Sequence, residues 1–177
     1  LFGLSLVATA SSLAQDTVTR AAAAPRFPSV GGSNLEGRRF DLPNDFEGAQ
    51  NVVLVAFQRQ QQDDVDTWTP FLRGLAAQHG DLRVYELPTL GRRYIPMRWM
   101  IDGGMRRGIP DKAVRVTTIT LYIDKSPFRQ ALGLGDESQI YALLVDRAGT
   151  ILWRGAGRHS DALAAELAAH VASSGLR

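Results

Sequence analysis

The residues that could do chemistry in this chain are a cluster of carboxylates, a run of arginines and three scattered histidines; the sequence has no cysteine. Disulfides, thiolate nucleophiles and cysteine-bound metals are therefore excluded. Asp63, Asp64 and Asp66 fall within four residues. Their spacing is not that of a calcium loop, and they suit a helix start: Asp63 would accept from first-turn N–H groups, and Asp64 and Asp66 would face the positive end of the helix dipole. Acid–base or metal work is the alternative reading of the same three. His79, His159 and His170 lie too far apart in sequence for a zinc spacing. No G-x-S-x-G turn is present, Gly31-Gly32 and Gly133-x-Gly135 lack the strand-to-helix setting of a phosphate loop, and no base-stacking module points to nucleic acid. Nothing in the residues calls for a metal or an organic cofactor.

Of the 20 basic residues only Lys112 and Lys125 are lysine. Coding bias explains such a ratio, and so does selection for planar, bidentate contacts to anions. Five arginines (Arg92, Arg93, Arg98, Arg106 and Arg107) crowd into Gly91–Lys112 with all three methionines, Tyr94 and Trp99. With Lys112, and against Asp102 and Asp111, this segment carries a net charge of +4, more than the +2 of the whole chain. Tyr94, Met97, Met100 and Ile101 have helical spacing, so one reading is an amphipathic helix packed on a sheet. The other is a methionine and aromatic contact face with an arginine rim, for a protein partner or an anionic membrane surface. One or two short helices are expected here, broken at Gly103-Gly104.

The elements that must position these groups follow from periodicity. Asn51–Phe57 is apolar and rich in β-branched residues, a strand buried on both faces. Val65, Trp68, Phe71, Leu72 and Leu75 then recur at helical spacing, with Pro70 inside the helix. The turn between strand and helix sits where open α/β sheets place their ligands. Asn34–Gln50 reads as a hairpin turning at Gly37, with Arg39–Leu42 as an edge strand stopped by Pro43. Asp81–Leu90 reads as a strand ended by Pro88, and Val114–Asp124 as a long strand. Ser126-Pro127 reads as the cap and first position of a short helix. Ile140–Asp146 and Thr150–Gly155 form a hairpin across Asp146-Arg147-Ala148-Gly149. Ser160 caps a terminal helix with Leu163, Leu167 and Val171 on one face.

Leu1–Ala14 is uncharged and apolar, like the h-region and cleavage region of a secretory signal. Small residues stand at the signal-peptidase positions in Ser12-Leu13-Ala14 and again in Ala8-Thr9-Ala10. Cleavage would leave a mature start near Gln15; an organellar presequence or an uncleaved anchor are the alternatives. The expected organisation is a signal at 1–14, a linker at 15–26 and one domain at 27–177, although the Ala/Pro/Gly-rich composition runs on to Ser33.

Leu35-Glu36-Gly37, the NVVLVAF strand, the Pro-kinked helix and LLVDRAGTILWRGAG together resemble the redoxin form of the thioredoxin fold, the group that includes alkyl hydroperoxide reductase. AFQRQQQDDVDTWTPF, TLYIDKSPFRQALGL and YALLVDRAGTILWRGAG resemble, within that group, the mitochondrial ATP synthase assembly factor family and its bacterial relatives. The resemblance implies a thioredoxin-like three-layer α/β/α sandwich, with a central mixed sheet of about four or five strands plus an N-terminal β-hairpin. It implies a chaperone or assembly role, without a cofactor, toward a protein partner that is itself membrane-associated. In such proteins the redox C-x-x-C begins about five residues after the strand-ending Phe; here Gln62 and Val65 stand in the cysteine places. A cis-proline should precede the strand aligned with Tyr141–Asp146, but Gln139 or Ile140 occupies its place, and a non-proline cis bond costs about 3 kcal/mol. A trans bond is expected. Both marks of thiol chemistry are missing, so the expectation is a non-redox, non-enzymatic, exported binding protein. Its contact surfaces would be the loop Gln58–Asp64, with Arg59 and Asp64, and the segment with Arg92, Arg93, Met97, Arg98, Trp99, Arg106 and Arg107. The alternatives are an enzyme using Asp64, Arg59 or Arg93 in the same crevice, and a small-anion sensor built on Arg59, Arg92 and Arg93.

Overall fold

A computed structural model describes residues 25–174. The signal, most of the linker and the last three residues of the expected domain lie outside that range. Seven strands form one mixed sheet: β1 (Val30–Asn34), β2 (Arg39–Leu42), β3 (Gln50–Ala56), β4 (Leu82–Gly91), β5 (Ile119–Ile123), β6 (Tyr141–Asp146) and β7 (Ile151–Ala156), in the order β2-β1-β5-β4-β3-β6-β7. β4 runs parallel to β3 and to β5; all other neighbours are antiparallel. The N-terminal hairpin is continuous with the sheet, because Ser33 and Asn34 pair with Thr120 and Ile119. Gly31-Gly32 is thus strand, not linker. A side chain at Gly32 would meet Ile119 and Leu121 at 2.7 Å, which explains the glycine. Pro25 and Arg26, assigned to the linker by composition, pair with the start of β7: the Ile151 N–H donates to the Pro25 carbonyl, and Arg26 bridges Thr150.

The helices are α1 (Gln62–Gln78), α2 (Arg98–Gly108), α3 (Lys112–Thr117), α4 (Lys125–Leu132) and α5 (Asp161–Ser174). β3 is buried on both faces, as its apolar run predicts. Val53 and Val55 join a core with Leu87, Leu121, Phe128, Leu132 and Leu143. Val52 and Leu54 join a second core with Trp68, Leu72, Leu144, Leu167 and Val171. Alternation along the strand sends successive residues to opposite faces, so α1 and α5 cover one face and α4 the other. Trp68 is fully buried and donates its indole N–H to the Gly157 carbonyl at 3.1 Å, satisfying the one polar group that its burial would strand.

Four local expectations are corrected. β4 does not end at Pro88. It pairs with β3 through Pro88 and with β5 from Thr89, so the residue without an N–H sits where the ladder changes partner. Val114–Asp124 is not one long strand: its start is α3, capped by the Asp111 carboxylate accepting from the Ala113 N–H at 2.8 Å. α4 begins two residues before Pro127, with Asp124 rather than Ser126 at the cap position. Finally, α2 runs unbroken through Gly103-Gly104.

Candidate functional site

The loop between β3 and α1 is a brace. Gln61 is buried, and its side-chain oxygen accepts from the backbone N–H of Phe57 at 2.8 Å and of Gln58 at 3.1 Å. Its amide, and that of Gln58, both donate to the Glu137 carbonyl at 2.8 Å. Lys125 pairs with the Glu137 carboxylate, and Arg129 lies 3.5 Å from it. Asp63 is not the cap of α1; it and Asp64 stand in the first turn behind Gln61. Glutamine is a poor cap by type, so sequence gives Gln61 no prominence; only the fold brings residue 137 to it.

Of the degenerate redox positions, Gln62 opens α1, Val65 is buried in the core beneath it, and Ile140 is fully buried just before β6. The Gln139–Ile140 bond is trans; the cis bond among the described residues is Leu42–Pro43. Asp64 turns toward Arg158, at 3.4 Å.

The segment after β4 departs from the packed-helix reading. A 3-10 turn at Arg92–Met97 leads into α2, and neither buries a residue. Tyr94 and Ile101 are partly covered, whereas Met97 and Met100 are exposed. α2 is held by polar pins along one stripe, with Arg98, Asp102 and Arg106 four residues apart. Arg98 donates to the Ser33 hydroxyl at 3.0 Å and lies over the Tyr122 ring. The Tyr122 hydroxyl donates to Asp102 at 2.8 Å, and burial together with that carboxylate raises the tyrosine's pKa. Arg106 approaches Glu36 at 3.4 Å, and Arg115 from α3 reaches the same carboxylate at 2.6 Å. The Arg115 hydrogen bond, helped by Arg106, holds Glu36 below the usual carboxylate range.

Pinned on that side, α2 stands away from the sheet on the other. The result is a groove of about 940 Å³ between α2 and α1. Met100, Ile101, Met105, Ile109 and Val114 form one wall; Phe57, Pro88 and Leu90 line the floor at the carboxyl ends of β3 and β4. Gln58, Arg59, Gln62, Asp63 and Asp66 edge the α1 side. Glu86 lies in the floor. Burial, reinforced by Asp66, pushes its pKa up to about 7, and the Gln62 amide acts the other way. Glu86 is the one acid in β4, set between Tyr85 and Leu87, the signal from which sequence could have singled it out.

The candidate residues divide. Arg59 and Gln62 line the groove. Arg98, Trp99 and Arg106 line a shallower pocket of about 470 Å³ on the opposite flank of α2. Arg92 pairs with Asp124 at 3.3 Å, and Arg93 stacks over Tyr94. Arg107 pairs with no carboxylate among the described residues. Arg59 lines the groove, whereas Asp64, Arg92 and Arg93 line neither cavity.

No family model matches the chain, and no curated protein does. Solved structures do match along most of its length. A putative thiol:disulfide interchange protein DsbE from Chlorobium tepidum superposes with a TM-score of 0.54 at 15% identity, covering 85% of this chain and 96% of its own. The fold is thioredoxin-like. BsSco, described as a member of the Sco family of cytochrome c oxidase assembly proteins, gives 0.57 at 13% identity over 86% of this chain and 94% of its own. The exposed lipoprotein thioredoxin Etrx1 of Streptococcus pneumoniae gives 0.53 at 13% identity over 80% and 98%. At such identities the likeness concerns the fold alone. The sheet has more strands than expected, because the N-terminal hairpin belongs to it.

Proposed function

We propose that this protein is a non-redox binding factor that holds an apolar segment of a protein partner in the groove between α1 and α2, as an assembly factor or chaperone does. One observation carries the reading: α2 buries no residue and turns its methionine side over a large, apolar-walled groove. A packed helix has no such space beside it, and methionine adapts to varied apolar occupants. The groove lies at the strand ends where the fold places ligands. The chain has no sulfhydryl to react there. One neighbour in fold is described as an assembly protein, and the sequence resembles an assembly-factor family. Among the described residues no helix is long and apolar enough to cross a membrane, and export remains the expectation from Leu1–Ala14.

The test is site-specific photocrosslinking in native membranes and extract. A benzoyl-phenylalanine at Met105 or Ile109 should give adducts with a defined protein, and one at the exposed Ala169 should not. Equal labelling at all three positions would sink the reading. Purified protein should also show no thiol-dependent turnover of insulin or peroxide; measurable turnover would overturn its non-redox half.

A further inference from the structure

We propose that the outer face of the 3-10 turn and α2 is a docking surface for an anionic lipid bilayer. Ile95 to Met100 are six consecutive exposed residues. Trp99 is 77% exposed, Met100 51%, Ile95 43% and Met97 41%. Keeping such side chains in water is costly, and together they form a patch rather than scattered exceptions. Arginines surround the patch. Arg106 lies seven residues from Trp99, on the same helical face; Arg107 follows it and Arg93 stands in the first part of the turn. Arg93 and Arg107 pair with no carboxylate among the described residues.

Charge and shape select the occupant. An apolar strip with a tryptophan, edged by arginines and low in overall hydrophobicity, is the pattern of a helix lying in a bilayer interface. Guanidinium groups match phosphate oxygens bidentately. This face is the crest of a helix raised off the sheet. A fluid lipid surface accommodates a crest without needing a complementary hollow, which a protein partner would have to supply. Met100 borders both the patch and the groove, but Ile95, Met97 and Trp99 do not line the groove and Met105 and Ile109 do not belong to the patch, so failure of the bilayer contact leaves the groove reading standing.

Trp99 makes the test specific. Trp68 and Trp153 are buried, at 0% and 7% exposure, so a change in tryptophan emission on binding reports Trp99. The full chain is mixed with vesicles of phosphatidylcholine alone, or with roughly a third phosphatidylglycerol to give an anionic surface. The expected result is a blue shift and protection from iodide quenching on the anionic vesicles only, weakened by salt. Trp99→Ala should abolish the signal. Arg93→Gln with Arg107→Gln should weaken binding by about tenfold or more, each arginine near the surface being worth about fivefold, with unchanged circular dichroism. Three results would overturn the proposal. One is binding with Trp99 emission unmoved, which places the contact elsewhere, residues 1–24 included. Another is equal binding to neutral vesicles. The third is burial of Trp99 by a protein partner but not by protein-free anionic vesicles.

Discussion

Glu86 is the residue where charge and burial conflict. Its carboxyl sits in the groove floor near Asp66, with a pKa of about 7 against an ordinary 4.5. The folded protein therefore keeps a proton that the unfolded chain has already released. Stability contributed by this residue is full below about pH 4.5, falls as pH rises through about 7 and is flat above. The loss is at most about 3 kcal/mol, and solvent in the groove reduces it. Glu86→Gln should flatten this part of the profile and raise the urea midpoint relative to the parent at pH 8. Parallel profiles for the two proteins between pH 4.5 and 7 would mean that Glu86 ionises freely. A partner segment that closes the groove would strengthen the same effect, so occupancy and proton uptake at Glu86 are linked. Gln61 shows the opposite case, a polar group whose burial is fully compensated. Its three side-chain hydrogen bonds run to the N–H groups of Phe57 and Gln58 and across to the Glu137 carbonyl, and so tie the β3–α1 loop to a segment 76 residues away.

Among the elements, α2 is the exception to the usual source of helix stability. Most helices are held by an apolar face; α2 has polar pins on one stripe and two glycines in its interior. A Cβ at Gly104 meets nothing within 4 Å, and one at Gly103 only the Arg107 guanidinium at 3.7 Å. Gly103→Ala and Gly104→Ala should each stabilise the helix by about 1 kcal/mol. Hydrogen exchange should slow across residues 98–108 while the global urea midpoint stays put, because α2 opens by local fluctuation. A matching rise in the global midpoint would show that α2 unfolds only with the core. The neighbouring misreading has a physical source too. Val114 and Val116 alternate with polar residues as a strand would, yet the Asp111 cap and the reach of Arg115 to Glu36 make the segment a helix. Both are tertiary or capping terms that outweigh β propensity.

Across the whole molecule, the segment that leads into the sheet, Pro25–Phe27, is fastened to the β6–β7 turn. Phe27 donates to the Gly149 carbonyl at 2.7 Å, and the Ile151 N–H donates to Pro25. Gly149 has φ +82°, and a Cβ there would fall 2.7 Å from Pro43 Cγ. Gly149→Ala should cost about 1–3 kcal/mol from backbone strain and contact, read as a lower midpoint in urea. An unchanged midpoint would mean that the Pro43 loop moves aside without cost. The substitution lies far from the groove and α2, so crosslinking at Met105 should survive it under native conditions.

The sequence by itself determined the β3 strand, the α1 and α5 helices, the β6–β7 hairpin and the absence of thiol chemistry. Each is written in local periodicity, turn residues or composition, and needs no partner to be read. Leu167 and Val171 pack where their spacing says they must. Only the tertiary structure decided that the arginines separate onto two flanks of α2, that Gln61 braces a loop 76 residues away and that Glu86 floors a groove. Periodicity tells which face of an element is apolar. It does not tell whether another element covers that face, and for α2 none among the described residues does: contacts such as Arg106 to Glu36, 70 residues apart, hold the helix by its polar side and leave Met100 and Met105 over the groove.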